Sequence, residues 1–246
     1  MRIGENMNQN LDIFKAGLKE LNIELTNLQI EQFLNYYEML VEKNKVMNLT
    51  AITEFGDVLL KHFLDSLSLV KLLDITKVES VIDVGTGAGF PGIPLKIAFP
   101  HLKVTLLDSL NKRVKFLSEV CDKLGLTNVE AVHARAEDGG RNPKYREQFD
   151  LCVSRAVANL STLSEYCVPF IKVGGYFVPY KAGDVDKELK NAKGAIKKLG
   201  SKIVDKKEFM LPESDISRVL IHILKERPIK NIYPRKNGMP SKEPLS

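Results

Sequence analysis

A glycine-rich loop between an apolar strand and a proline-containing helix constrains the fold of this chain more than any other feature. The run from Val81 to Gly92 reads Val-Ile-Asp-Val-Gly-Thr-Gly-Ala-Gly-Phe-Pro-Gly. Residues 80–84 are rich in β-branched side chains, as is typical of a buried parallel strand. The glycines that follow have no side chain to hold a ligand away from the backbone, and Pro91 suits the first turn of a helix. The run therefore predicts a strand, a ligand-binding turn and a helix.

Two acidic residues frame this loop and indicate a nucleoside ligand. Asp83 lies inside the first predicted strand, and Asp108 follows the second predicted strand, nineteen residues after Gly89. In a doubly wound sheet the ends of these two neighbouring strands flank the ligand crevice. An acid at the end of the second strand can accept hydrogen bonds from both hydroxyls of a ribose. The glycines alone would also suit a plain strand-to-helix turn, and the two acids favour the binding site.

The spacing of the glycines bears on the kind of nucleoside cofactor. Gly85, Gly87 and Gly89 alternate with single residues. This is tighter than the G-x-G-x-x-G pattern of dinucleotide sites, which sets a helix N-terminus against a pyrophosphate. The tighter spacing resembles the loop of class I methyltransferases, which bind S-adenosylmethionine, a ligand without phosphate. A nicotinamide-dependent dehydrogenase is the alternative that remains open from these residues.

Strands and helices alternate after the loop, which predicts an α/β, Rossmann-like fold with a doubly wound, mostly parallel seven-stranded sheet. The last two strands are expected to pair antiparallel. We divide the chain into an N-terminal helical cap (1–79), an S-adenosylmethionine-binding methyltransferase domain (80–224) and a basic C-terminal tail (225–246). The predicted strands cover residues 80–84, 103–107, 129–134, 149–154, 176–179, 203–210 and 219–224.

Helix signals in the cap and in the second half of the chain give further local predictions. Thr26 and Gln29 form a capping box that opens a cap helix, and a third cap helix is expected over residues 56–73. A later helix is expected over residues 160–171, followed by a turn at Gly174 and Gly175.

The net charge of +5 has its excess of basic residues in the C-terminal part of the chain. Residues 225–246 hold six basic and two acidic residues, and four prolines that disfavour a helix. We expect an extended tail whose Arg235 and Lys236 contact the phosphates of a nucleic acid. Lys112 and Arg113, at the start of a predicted helix, are further candidates for RNA binding. A disordered, solubilising end is the alternative for the tail.

Composition also bears on location and on metal binding. No apolar run approaches the roughly 20 residues that span a bilayer, and the first fifteen residues lack the apolar core of a signal peptide. Cys121, Cys152 and Cys167 stand in apolar contexts without C-x-x-C pairing, which indicates reduced, buried thiols. We expect a cytoplasmic monomer that uses no metal and does not associate with a membrane.

Candidate binding residues follow the ends of several predicted strands, where open α/β sheets bind ligands. The loop from Gly85 to Phe90 would approach the methionine part of the cofactor. Ala136 and Glu137 follow the third strand, where a backbone N–H and an acidic side chain can meet an adenine edge. Arg155 follows the fourth strand and could bind the methionine carboxylate or the substrate, or form a structural ion pair.

A cluster of polar residues on one predicted cap helix calls for a separate interpretation. His62 and Ser66 share a helix face and Asp65 is adjacent. A hydrolytic triad needs side chains from separate elements, so a triad on one turn is disfavoured. The cluster suits a polar surface that faces the cofactor or substrate, or a structural hydrogen-bonding role.

In combination these motifs resemble the family once called glucose-inhibited division protein B, bacterial methyltransferases that modify guanine N7 in 16S ribosomal RNA. The resemblance implies S-adenosylmethionine contacts at Gly85, Phe90, Ala136, Glu137 and Arg155. It alone supplies the guanine and the ribosomal target. The stretches that carry it are residues 48–52, 62–67, 83–92, 107–113, 135–137, 154–156, 180–183, 233–236 and 240–242.

The implied reaction needs little from the protein beyond alignment. Guanine N7 carries an in-plane lone pair and attacks a sulfonium methyl without prior deprotonation, so proximity and in-line geometry can suffice. Asn48, Arg155 and Lys181 are candidates for positioning the substrate, with a solvated basic face as the alternative for Lys181. Two other functions stay open: a methyltransferase of a small molecule or protein, and a non-enzymatic RNA-binding sensor of S-adenosylmethionine.

Overall fold

A seven-stranded sheet organises the computed structural model, which describes residues 3–155 and 158–246, with side chains from residue 8 onward. Ala156, part of one motif above, lies outside the described residues. The strand order is β3-β2-β1-β4-β5-β7-β6. The first five strands are parallel, and β7 runs antiparallel to both β5 and β6. The predicted α/β sheet is therefore confirmed. Its strands are β1 (Ser80–Val84), β2 (Lys103–Asp108), β3 (Val129–His133), β4 (Phe149–Ser154), β5 (Ile171–Lys181), β6 (Ser201–Met210) and β7 (Ser217–Lys225).

Helices precede the sheet and connect its strands. In the described part of the chain the α-helical segments are α1 (Ile3–Glu20), α2 (Asn27–Met47), α3 (Phe55–Val58), α4 (Asp65–Leu67), α5 (Gly92–Ala98), α6 (Asn111–Lys123), α7 (Ala136–Gly139), α8 (Leu160–Cys167), α9 (Asp186–Lys198) and α10 (Met239–Lys242). The predicted capping box is confirmed at the start of α2. Thr26 Oγ1 accepts a hydrogen bond from the Gln29 amide at 3.3 Å, and Gln29 Oε1 accepts one from the Thr26 amide at 2.8 Å.

The third cap helix is not a uniform α-helix, as the prediction over residues 56–73 assumed. Between α3 and α4 the chain forms a π-helical turn at Leu59–Leu64, and a 3₁₀ turn at Ser68–Lys71 ends the segment. Apolar spacing cannot distinguish these helix types, because the buried face is similar in each. The wider π turn carries His62, and such turns often occur at functional sites.

The cap shares its apolar core with one face of the sheet. Phe14, Phe33 and Phe63 are buried against one another, with ring centroids 4.9–6.3 Å apart. Tyr36 is fully buried beside them, and its hydroxyl donates a 2.6 Å hydrogen bond to the carbonyl of Ala88 in the glycine loop. The cap therefore holds the loop directly, through a side chain from α2.

The prediction of a turn at Gly174 and Gly175 was wrong, because both residues lie inside β5. The preceding helix α8 ends at Cys167, and a 3₁₀ turn at Val168–Phe170 leads directly into the strand. The pairing of β5 with β4 shifts register here. Gly174 has φ +86°, and a side chain at Gly175 would lie 2.6 Å from the Asp150 carbonyl. The two glycines therefore permit the irregular backbone of β5 at this register shift.

The prediction of an extended surface tail was also wrong. Lys225 is the last residue of β7, and its buried ammonium bonds Glu147 at 2.6 Å. Beyond it, Ile229 and Tyr233 are buried, and their carbonyls accept hydrogen bonds from Arg146 at 3.2 and 2.8 Å. The prolines correctly disfavour a long helix. They do not predict that apolar residues fold the segment back onto the sheet.

Two further properties of the described ranges bear on the expectations above. No helix in them has both the length and the apolarity to cross a membrane. Cys121, Cys152 and Cys167 are buried and form no disulfide with one another, which confirms the prediction of buried thiols.

Candidate functional site

Two adjoining clefts lie at or beside the carboxyl ends of the parallel strands. We call them the strand-end cleft, about 320 Å³, and the arginine cleft, about 520 Å³. They adjoin because Lys181, in the arginine cleft, donates a 2.8 Å hydrogen bond to the carbonyl of Ala158 in the strand-end cleft. The strand-end cleft is lined by Val84, Gly85, Leu107, Ser109, Ala134, Arg135, Ala136, Glu137, Ala158, Leu163, Tyr166, Gly238 and Ser241. The arginine cleft is lined by Ile52, Lys61, His62, Asp65, Arg155, Tyr180, Lys181, Ala182, Glu188 and Arg218.

The three glycines of the loop serve different purposes. Gly85 has φ +72°, and a side chain there would meet no atom within 4 Å, so the backbone borders open space in the strand-end cleft. Gly87 also has positive φ and donates its amide to Asp108 at 2.9 Å. At Gly89 a Cβ would lie 2.6 Å from the Tyr36 hydroxyl. Packing against the cap therefore requires glycine at position 89, which lines neither cleft.

Asp108 fixes the loop from the neighbouring strand. It is buried, and its two carboxylate oxygens accept hydrogen bonds from the amides of Gly87 and Leu110, each at 2.9 Å. Arg113 reaches the same carboxylate at 3.5 Å. Arg113, expected to bind RNA, thus has an internal partner beside the glycine loop.

Asp83 organises the same loop from beneath. It is fully buried, and its Oδ2 atom accepts hydrogen bonds from the Thr86 hydroxyl at 2.7 Å and the Gly92 amide at 2.8 Å. Its Oδ1 atom has no hydrogen-bond partner among the described residues. Burial raises the pKa of Asp83 to about 6, against the opposing effect of these hydrogen bonds.

The residues after the third strand form another part of the strand-end cleft. Ala136 and Glu137 begin the short helix α7, and both line the cleft. Glu137 is 5% exposed, and its Oε1 atom accepts a 2.8 Å hydrogen bond from the Gly238 amide. The second carboxylate oxygen has no hydrogen-bond partner in the described part of the chain. Glu137 can therefore still accept a hydrogen bond from a ligand.

Arg155 follows β4 and is held by three partners from the cap. One terminal nitrogen donates to the carboxylate of Asp65 and to the carbonyl of Lys61, each at 3.1 Å, and the other donates to His62 Nδ1 at 3.0 Å. The guanidinium carbon lies 5.0 Å from the centre of the Phe90 ring, within the range of a cation–π contact. Phe90 is itself buried at the end of the glycine loop. Arg155 and Phe90 are therefore in contact, as expected for two residues that were both predicted to bind the cofactor.

The contact with Arg155 at 3.0 Å, shorter than the 3.2 Å between His62 Nδ1 and the Lys61 carbonyl, assigns the proton of a neutral His62 to Nε2. Arginine can only donate, so Nδ1 must accept from Arg155, and Nε2 donates to the Thr50 hydroxyl at 2.9 Å. Burial and the nearby Arg155 charge lower the pKa of His62 to about 3. Ser66 donates its hydroxyl to the His62 carbonyl at 2.5 Å, so the serine does not form a triad with the imidazole.

Asp65 links Arg155 to a second arginine, Arg218 of β7. Its other carboxylate oxygen accepts a 3.0 Å hydrogen bond from Arg218 Nε. Burial raises the pKa of Asp65, and the two guanidiniums oppose that rise. Lys181 is not part of a solvated face: its side chain is 10% exposed and forms a 2.8 Å ion pair with Glu188. The arginine cleft therefore presents fixed cationic groups.

Gly87, Phe90 and Asp108 are absent from the lining of both clefts, and so are the remaining candidates. Asn48 is exposed and ends α2 in a left-handed conformation. Lys112 and Lys236 are exposed. Arg235, expected to contact phosphate, has an internal partner instead, because its guanidinium donates to both carboxylate oxygens of the buried Glu165 at 2.7–3.1 Å.

Several lining residues escaped the sequence-based prediction. Arg218 and Tyr166 lie within ordinary strand and helix patterns that carry no local motif. Gly238 and Ser241 lie in the segment that was expected to contact RNA, and only the glycine marks an unusual backbone position. Only the folding of distant parts of the chain against one another brings these residues to the clefts.

Comparison with known proteins gives consistent family and fold matches. Residues 29–216 match the family GidB, rRNA small subunit methyltransferase G. The chain is 52% identical to ribosomal RNA small subunit methyltransferase G of Lachnoclostridium phytofermentans, over 94% of this chain and 96% of the relative. It is 53% identical to the protein of that name from Lysinibacillus sphaericus, over 94% and 98%.

Solved structures resemble the chain at low sequence identity and bear on its fold. The mitomycin 7-O-methyltransferase MmcR superposes with a TM-score of 0.53 at 13% identity, covering 77% of this chain and 60% of that one. The S-adenosylmethionine-dependent methyltransferase SibL gives 0.51 at 18% identity, covering 67% and 55%. The class I methyltransferase fold is thereby confirmed.

Proposed function

The chain belongs to the rRNA small subunit methyltransferase G family, and on that premise we propose that the strand-end cleft holds the cofactor and the arginine cleft receives the target guanine. The protein is an S-adenosylmethionine-dependent enzyme that methylates N7 of a guanine in 16S ribosomal RNA. The family confirms the resemblance seen in the sequence and excludes the nicotinamide alternative. The proposal therefore concerns which residues of this chain bind each reactant.

The strand-end cleft fits S-adenosylmethionine by its size and by the groups that line it. A side chain at Gly85 would project into open space, so the backbone there can approach a ligand closely. Glu137 lines the cleft and retains one carboxylate oxygen for an exocyclic amine. Asp108 is buried and does not line the cleft, but it ends β2, where a carboxylate can accept from ribose hydroxyls. Bound there, S-adenosylmethionine supplies an activated methyl group on a sulfonium.

Arg155 carries the proposal, because it stands at the arginine cleft and contacts the Phe90 end of the glycine loop. Three contacts with the cap fix its orientation. Its Nε–H and one terminal N–H remain without a hydrogen-bond partner among the described residues. Arginine matches the O6 and N7 acceptors of guanine, or a carboxylate such as that of methionine. Either contact would align the two reactants across the boundary between the clefts.

The chemistry of the arginine cleft suits a reaction without a general base. Guanine N7 attacks with its own lone pair, so the residues need only position the base and exclude water. The one imidazole lining the cleft, His62, has a pKa of about 3, and Arg155 occupies its accepting nitrogen. Lys181 has a fixed position, and we propose it as a second positioning residue. Asn48 would act on the substrate from the neighbouring loop.

RNA would approach across exposed basic residues near the clefts. We propose Lys112 and Lys236 as phosphate contacts, since both side chains are exposed, whereas Arg113 has an internal carboxylate partner and would contribute less. Phosphate contacts of this kind position RNA without reading its sequence. A ribosomal RNA substrate also favours a cytoplasmic location, with 16S RNA or the small ribosomal subunit as the partner.

Transfer of a labelled methyl group from S-adenosylmethionine to 16S RNA, followed by mapping of N7-methylguanine, tests the proposal. Arg155→Lys keeps the charge and removes the donor fork, so we expect transfer to fall by at least tenfold. Lys190→Ala on the exposed face of α9 is the control. Parental activity in Arg155→Lys would remove Arg155 from the site.

A further inference from the structure

The C-terminal segment, residues 233–243, lies against the strand-end cleft. Gly238 and Ser241 both line that cleft, together with Glu137 and Tyr166. The basic charge of the segment suggested an RNA contact, but its course takes it to the proposed cofactor site. The cleft therefore has a wall supplied by residues that follow the last strand of the sheet.

A buried ion pair anchors this wall. The Arg235 guanidinium donates to both oxygens of Glu165, and the Arg235 amide donates to Glu165 as well, at 2.8 Å. Glu165 is fully buried in α8, so this carboxylate relies on Arg235 for compensation. Thr162, one turn earlier on α8, donates its hydroxyl to the carbonyl of Pro240 at 2.9 Å. The segment is thereby fixed at both sides of Gly238.

The segment also contacts the acidic residues of α7. The Gly238 amide donates to Glu137 at 2.8 Å, and the Asn237 side chain donates to Asp138 at 3.0 Å. Gly238 has φ +81°, and a side chain there would meet no atom within 4 Å. The C-terminal segment thus orients Glu137, the acid that the proposed function assigns to the adenine edge.

We infer that residues 235–241 form the wall of the cofactor site that contacts the adenosine part of S-adenosylmethionine, with Gly238 and Ser241 at the ligand. Arg235 and Glu165 are positioning residues that hold this wall. The inference rests on the proposed function, because it takes the strand-end cleft to be the cofactor site. It assigns most of the segment to the cofactor and leaves the exposed Lys236 for the RNA.

A bulky side chain at Ser241 provides the sharpest test. Ser241 is exposed on its short helix, so Ser241→Trp should fold and fill part of the cleft. Calorimetric titration with S-adenosylhomocysteine should show at least a tenfold weaker Kd. Lys242→Trp places the same side chain on the next exposed residue, outside the cleft lining, and should bind within twofold of the parent. Equal Kd values for the two tryptophan variants would overturn the inference.

The anchor is tested by Glu165→Gln combined with Arg235→Gln, which removes both charges without leaving one buried alone. We expect KM for S-adenosylmethionine to rise several-fold while kcat at saturation stays near the parent value. Arg235→Lys keeps the charge with fewer hydrogen bonds and should give an intermediate KM. Lys242→Gln, at an exposed lysine of the same segment that does not line the cleft, is the matched surface control. An unchanged KM in the folded double variant would contradict the positioning role.

Gly87→Val separates failure of this inference from failure of the proposed function. Gly87 has φ +65°, and valine there would distort the loop that carries the cleft-lining Gly85, so the variant should abolish S-adenosylhomocysteine binding if the cleft is the cofactor site. Loss in Gly87→Val with parental binding in Ser241→Trp would reject the wall and keep the cofactor site. Parental binding in Gly87→Val would reject the cofactor site and the wall with it.

Discussion

His62 accepts a hydrogen bond on Nδ1 from Arg155 at 3.0 Å, although 93 residues separate the two in the chain. The same imidazole stacks on Phe90, with centroids 4.4 Å apart and planes 21° apart. His62 therefore joins the cap, the glycine loop and the residue that follows β4. Its neutral state is part of this arrangement, because a protonated imidazole could not accept from a guanidinium.

Thr50→Val should disturb Arg155 through His62. The Thr50 hydroxyl accepts from His62 Nε2, and valine of similar shape would leave that N–H unpaired, at a cost of about 1–3 kcal/mol. We expect methyl transfer to fall about tenfold with the fold retained, and Thr50→Ser to restore it. Single-turnover rates with 16S RNA provide the measurement. Equal rates for the serine and valine variants would show that the hydroxyl does not position Arg155.

His62 should make the protein less stable as the pH is lowered. Its pKa is about 3 when folded and 6.5 in the reference state, so between these values only the unfolded chain binds the proton. The stabilisation is present above pH 6.5 and is lost toward pH 3, at about 1.4 kcal/mol per pH unit. Urea unfolding at pH 4–7 should give a stability difference between parent and His62→Gln that shrinks at lower pH. A difference independent of pH would show that His62 titrates normally.

Asp83 should make the free energy of unfolding depend on pH in the opposite direction to His62. Its folded pKa of about 6 lies above the reference value of 3.8, so between them the folded state holds the extra proton. This stabilisation is present below pH 3.8 and is lost as the pH rises to 6, again at about 1.4 kcal/mol per unit. Asp83→Asn keeps an acceptor for Thr86 and Gly92 and should gain stability relative to the parent over that range. Urea unfolding over the same pH range measures this stability difference. If Asp83→Asn instead gained stability relative to the parent as the pH fell, the raised pKa of Asp83 would be refuted.

Asp108→Ala should weaken cofactor binding. Loss of a charged acceptor for the Gly87 amide and for a ribose should cost about 1–3 kcal/mol. Calorimetry with S-adenosylhomocysteine gives the Kd, and Asp122→Ala, an exposed acid on α6, is the control. If both variants bind like the parent, Asp108 does not hold the ribose.

Lys112→Ala combined with Lys236→Ala should weaken RNA binding and flatten its dependence on salt. Each lost phosphate contact lowers the slope of log affinity against log salt by about one. Cofactor affinity should stay at the parent value, because neither lysine lines the strand-end cleft. Salt titrations of 16S RNA affinity give the two slopes. If the salt titrations of the parent and the double variant superimpose, neither lysine contacts the RNA.

The sequence by itself determined the features that depend on neighbours in the chain. The glycine loop, the capping box at Thr26 and the alternation of strands and helices each follow from the conformations allowed to a short run of residues. The same local logic failed at Gly174 and Gly175, because glycine permits both a turn and a strand irregularity. Pairing with β4, which is not local, decides between them.

Only the tertiary structure decided which distant side chains meet. Arg155 follows a strand and Arg218 lies on the last strand, and no spacing in the sequence relates either of them to His62 and Asp65 of the cap. The C-terminal segment shows the same limit. Its charge is a property of composition, whereas its course is set by the buried Glu165, which binds Arg235 because an unpaired carboxylate would be costly there. Short runs of residues therefore determine the local backbone conformation. Which distant side chains pair with one another depends on burial, and burial is set by the whole fold.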